Sequence, residues 1–223
     1  VLPYFIKSEG NQRGASRYHG GDGPLKVSDI GAKHELIEAF IEGAGQTGVP
    51  RTEDFNGARQ EGAGYYQLTT HKGWRCSTAK AYLAGARQRP NLQIETEAFA
   101  AGLILEGKRV VGVKYRQGGV MKTARCKAEV LLSAGAIQSP QLLQLSGIGP
   151  RALLEKHGIA VVVDAPDVGE NLQDHLQLRL SFQCSRPITT NDQLNSWFGQ
   201  FKLGLEWLLH RSGPLAVGIN PGG

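Results

Sequence analysis

Apolar positions along the chain change period several times, and each change predicts an element. In residues 32–42, Leu36, Ile37, Phe40 and Ile41 recur at helical spacing, with Ser28 or Asp29 upstream as cap candidates. Gly43 and Gly45 are expected to end that helix. A second helix is expected from Ser77 or Thr78, burying Tyr82 and Leu83 and stopping before Pro90. The period then falls to two. Leu92, Ile94 and Thr96 alternate, and two further strands flank a turn at Gly107, with Val111, Val113 and Tyr115 on one side. Alternation gives way to a continuous apolar run at Val130-Leu131-Leu132, which predicts a buried strand. Residues 92–128 should therefore form an antiparallel meander, and 129–134 should join a different, mostly parallel sheet. Helices over 140–146 and 151–157 follow, then a strand in "IAVVVDAP" and an apolar helix in "FKLGLEWLLHRSGPL" closed by Gly213-Pro214. Strands and helices mix without a repeat, so the fold class is α/β in the broad sense, a mixed α+β arrangement.

The stretch "GAIQSPQLLQLSGIGP" carries the strongest local signals. Ser139 is placed as an N-cap and Pro140 as the first helical residue, where a missing N–H costs nothing. Leu142, Leu143 and Leu145 supply a buried side. Gly147 can take positive φ to end the helix, and Gly149-Pro150 can open the next one.

Composition narrows the class. A chain of 223 residues with 40% hydrophobic and 20% charged positions can bury a sizeable core. Thirty glycines predict many turns and close backbone approaches. The net charge of +5 is spread along the chain rather than gathered in a basic arm. Cys76, Cys126 and Cys184 lie far apart, which indicates neither a disulfide framework nor a metal site and favours a reducing, cytoplasmic compartment. No apolar run has the length of a membrane span, which leaves peripheral membrane association as the alternative. The start at Val1, the single Met121 and the ending "NPGG" lead us to expect an internal fragment.

Two motifs suggest nucleotide or nucleic-acid binding and are set aside. "GAGQTG" at 43–48 has the G-x-G-x-x-G spacing, but a helix precedes it and no helix opens on its last glycine. "LSGIGPRALLEKHG" looks like a helix-hairpin-helix element whose glycine amides would bind a DNA phosphate. It occurs once, without clustered lysines, so no nucleic-acid partner is expected. Asp174 and His175 place a carboxylate beside an imidazole, a pairing that can tune proton transfer. Neighbouring side chains point apart, however, so His175 is only a candidate. The histidines at 19, 34, 71, 157 and 210 read as ordinary surface residues.

"EVLLSAGAIQSPQLLQLSGIG" resembles the second signature of the glucose–methanol–choline (GMC) oxidoreductases, and "VGENLQDH" resembles the segment that follows it. "VLPYFIKSE", "GGDGPLKVS", "DFNG" and "HKGWRCSTAKAYL" are similar to choline- and alcohol-dehydrogenase members, so the resemblance spans the chain. It implies part of an FAD-binding fold: a β-meander, one or more strands of a central parallel sheet, and part of a substrate domain. It implies residues 1–77 on the substrate side, 78–180 in the FAD-binding domain and 181–223 opening the substrate domain. It further implies oxidation of choline or another primary alcohol to the aldehyde, with oxygen or a quinone-type carrier as acceptor. A hydroxynitrile-lyase-like relative is the alternative. The resemblance places Ala100, Ser133, Ala134 and Gly135 near the adenosine half of FAD, because small residues let a planar group approach the backbone. Arg75 and Ser77 match a loop towards the active-site side. The family's dinucleotide fingerprint and catalytic histidine match nothing here, so no catalytic residue is expected in this chain.

Overall fold

The computed structural model describes residues 1–178, 180–217 and 221–223. The chain divides into two compact units, one formed by 1–93 with 181–223, the other by 94–180.

The first unit opens with helix α1 (Leu2–Ser8) and strand β1 (Glu9–Asn11), which pairs in parallel with β2 (Leu25–Val27). The turn between the strands runs so close to β1 that a Cβ on Gly20 or Gly23 would strike the backbone of residues 6–9. Helix α2 runs from Glu35 to Gln46, so the expected caps and stop are both corrected. His34 is the cap: its Nδ1 accepts the Leu36 N–H at 3.2 Å while its Nε2 lies 2.9 Å from the Ile188 carbonyl oxygen. That second contact needs Nε2–H as donor, which leaves Nδ1 free to accept. Gly43 and Gly45 lie inside the helix, since an isolated glycine costs only about 1 kcal/mol relative to alanine.

A short hairpin of β3 (Thr70–His71) and β4 (Trp74–Arg75) follows, then a π-helical turn, Ala79–Leu83, and the short helix α3 (Ala84–Ala86). Tyr82 is exposed and Leu83 only half-buried, against the expectation that both would be covered. No strand forms at 92–96.

The second unit contains the meander, β5 (Phe99–Glu106), β6 (Arg109–Gln117) and β7 (Val120–Arg125), antiparallel in that order as the alternation predicts. Residues 129–134 form no ladder, which corrects the expected parallel strand at that position. A strand exists only through its partner's N–H and C=O groups, and among the described residues none pairs there. Helix α4 (Gly135–Leu145) starts five residues earlier than expected and carries Pro140 inside it. Ser139 does not cap forward; its Oγ accepts the N–H of Ala134, the residue before the helix, at 3.1 Å. Beyond α4, β8 (Ile148–Gly149), α5 (Arg151–Lys156) and β9 (Val163–Asp164) close a tight corner, with β8 and β9 parallel. Gly147 has φ +85°, as the sequence predicts. Leu103, Val111, Leu142 and Leu154 form the apolar centre of this unit.

The chain returns to the first unit with α6 (Thr190–Leu194) and α7 (Trp197–His210). The Trp207 ring meets Trp74 edge-on at 4.8 Å, and the Arg211 guanidinium lies 4.2 Å over Trp207. Ile41, Ala63, Cys76 and Leu203 are buried in this unit. No described helix is long and apolar enough to cross a membrane.

Candidate functional site

The meander and α4 are joined through one hydroxyl. Ser146 Oγ accepts the Leu103 N–H of β5 at 2.8 Å and donates to the Leu142 carbonyl of α4 at 2.6 Å. This contact holds the middle of β5 against the end of α4, and a cavity of about 230 Å³ lies between the start of β5 and α4. Ala98, Phe99 and Ala100 form one wall; Ala134, Gln138, Gln141, Leu142 and Leu145 form the other. Two of the four residues expected near a cofactor, Ala100 and Ala134, thus face one space although 34 positions separate them in sequence. Ser133 and Gly135 flank Ala134 but do not line the cavity, and Ser133 is exposed.

The walls suit one end of a large planar cofactor. They are mostly apolar, three are alanines, and two glutamine amides supply hydrogen-bonding groups. Whole small-molecule pockets run to roughly 300–1,000 Å³, so this one admits part of a dinucleotide rather than all of it. Helix α4 begins beside it without a side-chain cap or an acidic residue in its first turn. That amide end is open to an electronegative group. A second hollow of about 590 Å³ lies on another side of α4, between Ile137, Pro140 and Gln144 and the stretch 169–173. Gln141 lines both.

His175 lines neither hollow. It is exposed, and its own N–H is turned onto Asp174 Oδ1 at 2.8 Å. Arg75 is exposed on β4, and Ser77 Oγ accepts the Lys80 N–H at 3.4 Å. The corner at 145–158 is poorly suited to hold a phosphate. Its Gly147 N–H donates to Gln144 and its carbonyl accepts from Val162 and Val163. Arg151 is already paired with Asp164 and Glu155.

Sequence reasoning missed the most enclosed polar cluster. His19, read as a surface residue, is buried together with Asn11. Its Nδ1 lies 2.8 Å from Glu9 Oε2 and its Nε2 3.0 Å from Asp54 Oδ2. Its two acidic partners stand 10 and 35 positions away, and no local pattern announces such a pairing.

Comparison with known proteins fits these features to one class. The pattern of the GMC oxidoreductases matches residues 1–177. The chain belongs to that family, whose members are flavoproteins carrying FAD. The oxygen-dependent choline dehydrogenase of Serratia proteamaculans is 50% identical over 216 residues, covering 95% of this chain and 39% of the relative. That of Chromohalobacter salexigens is 50% identical over 214 residues, covering 95% and 38%. Among solved structures, an FAD-dependent oxidoreductase from Chaetomium thermophilum superposes with a TM-score of 0.87 at 26% identity, over 96% of this chain and 40% of its own. Pyridoxine 4-oxidase from Mesorbium loti gives 0.70 at 34% identity, over 74% and 33%. The chain spans about two-fifths of the length of the curated relatives it matches.

Proposed function

We propose that this chain serves, as part of a longer enzyme, in the FAD-dependent oxidation of choline or another primary alcohol to the aldehyde. The observation that carries this reading is the 50% identity to oxygen-dependent choline dehydrogenases over 95% of the chain. The same relatives favour oxygen over a quinone-type carrier as the electron acceptor. FAD, when bound, supplies the acceptor for the hydride that leaves the alcohol carbon. The residues of this chain would bind and orient it: Ala100 and Ala134 would offer small walls to the adenosine end, with Ser133 and Gly135 shaping the approach. Residues 78–180 are assigned to the FAD side, and 1–77 with 181–223 to the substrate side. The hydroxyl proton needs a base within hydrogen-bond reach, and no histidine of this chain lines the cavity.

The test compares the 223-residue chain with the longer reading frame, each supplied with FAD and choline. We expect oxygen uptake and aldehyde only from the longer protein. We expect Ala100→Trp in that protein to lower its retained flavin, read from absorbance independently of turnover. Turnover by the chain alone that disappears in His175→Ala would overturn the assignment of roles. Cleavage of a cyanohydrin without oxygen uptake would replace oxidation by the lyase reading.

A further inference from the structure

The redox reading leaves His19 without a role, yet it is one of two buried polar side chains among the described residues. Carboxylates only accept hydrogen bonds, so a ring nitrogen at bonding distance from one must carry a proton. Both nitrogens of His19 meet that condition: Nδ1 against Glu9 at 2.8 Å and Nε2 against Asp54 at 3.0 Å. A neutral imidazole has one N–H and would point a lone pair at the other carboxylate. The arrangement therefore holds the imidazolium, and the 3.3 Å approach of Asn11 Nδ2 to Nδ1 is a contact between two donors, not a bond.

The three groups come from separate segments: Glu9 from β1, His19 from the turn before β2, and Asp54 from the loop after α2. Asn11 Nδ2 ties the same cluster to Gln67 at 2.9 Å. Arg13, the remaining charge lining the small cavity of about 160 Å³ beside His19, is held by Asp29 and the Glu53 carbonyl.

We infer that His19 is a pH-sensitive clamp that pins the loop at 51–57 to β1 through Asp54 when doubly protonated and loosens it when the ring becomes neutral, with Arg13 on the Glu53 carbonyl left as a remaining tie. The two carboxylates differ in what they keep on release. Glu9 retains donors from Asn11 Nδ2 at 2.9 Å and the Gly20 N–H at 3.2 Å, whereas Asp54 retains the Asn56 N–H at 2.9 Å, a donor from its own loop that moves with it. Asp54 is the more exposed partner, 35% against 17% for the side chains. The surviving proton therefore stays on Nδ1, facing Glu9, and Asp54 departs with its loop. Burial draws the His19 pKa down, but the hydrogen bonds and charges of Asp54 and Glu9 outweigh it and set the pKa above the ordinary histidine value. A raised pKa gives stability that is complete below the unfolded value of about 6.5 and is lost as pH climbs through the folded one. Opening thus belongs to the alkaline side of neutrality.

The test follows the His19 ring nitrogens by NMR, and amide protection factors at 52–57, in the full 223-residue chain from about pH 6 to about pH 9. Ring titration should leave an Nδ1–H tautomer. Protection at 52–57 should fall in step, about tenfold for each unit by which the His19 pKa exceeds its ordinary value. Asp54→Asn presents an amide that can accept or donate, so it should lower the His19 pKa and flatten the pH profile of the loop. A ring already neutral near pH 6, or protection at 52–57 that stays constant while the ring titrates, would overturn the clamp.

Discussion

The corner at Gly147 and the cluster at His19 hold their segments by opposite means. The corner encloses no charge: Leu154 fills it, Ala165 N–H bonds to the Gly149 carbonyl, and a glycine makes the bend. The cluster is built from two carboxylates, an imidazolium and two amides, gathered from between Glu9 and Gln67. The first arrangement depends on volume and φ, so it should resist pH and fail on small changes of shape. The second depends on protons and partners, so it should respond the other way.

The largest expected effect is at the corner. A Cβ on Gly147 would sit 2.5 Å from the Ala160 carbonyl oxygen, and the backbone there has φ +85°. Gly147→Val should cost about 4 kcal/mol, because strain at a left-handed position adds to a backbone clash. Urea unfolding of the variant measures it; stability within experimental error of wild type would show that the corner can rearrange. Next is Leu154, 1% exposed. Leu154→Ala should cost roughly 3 kcal/mol, within the range for a buried leucine that leaves a cavity behind. The loss should be the same at pH 6 and at pH 9 within about 0.5 kcal/mol, since no ionised group is buried there.

Much of this corner was legible because its rules are local. A glycine between two helices and an alternation of period two each declare themselves within a few residues, whereas α7 closes at Arg211, with φ 54°, before the expected Gly213-Pro214. Local rules were overridden at several positions, two of them at and just before α4. Pro140 predicts a helix start, yet α4 begins at Gly135 and runs through the proline. Val130-Leu131-Leu132 has the composition of a buried strand, but a strand also needs a partner, and composition does not supply one. Of the site, the small residues at 100 and 134 could be named from resemblance, whereas their meeting in one cavity depends on Ser146, which no pattern flagged. His19 was unreadable for a plainer reason: Glu9 and Asp54 become its partners only after three segments have folded together.

The cluster should yield less to a neutral deletion than the corner does. Asn11 bonds Glu9 and Gln67 through its amide nitrogen and accepts from the Arg13 N–H at 2.9 Å. Asn11→Ala leaves these groups without that partner and should cost about 2 kcal/mol. A loss below about 0.5 kcal/mol would mean that water replaces the amide and that the cluster is wetter than its burial suggests.

The smallest effect tests whether the corner is as free of polar dependence as the comparison holds. Ser146 is the exception within it, with one hydroxyl serving two backbone groups. The Leu142 carbonyl lies in the last turn of α4, where the final four carbonyls have no partner within the helix. The Leu103 N–H sits on β5 with its side chain buried. Ser146→Ala removes both bonds, but water can reach the helix end, so only the β5 amide is left truly short of a partner. The expected loss is therefore about 1 kcal/mol, the net worth of a single hydrogen bond. Hydrogen exchange gives a sharper reading than unfolding: the Leu103 amide should lose protection, while amides of the β6–β7 pair should keep theirs. Ser146→Thr retains the hydroxyl and should restore the Leu103 protection. If Ser146→Ala left that amide fully protected, the hydroxyl would not be what joins the meander to α4, and the cavity between Ala100 and Ala134 would have to be held open by apolar packing alone.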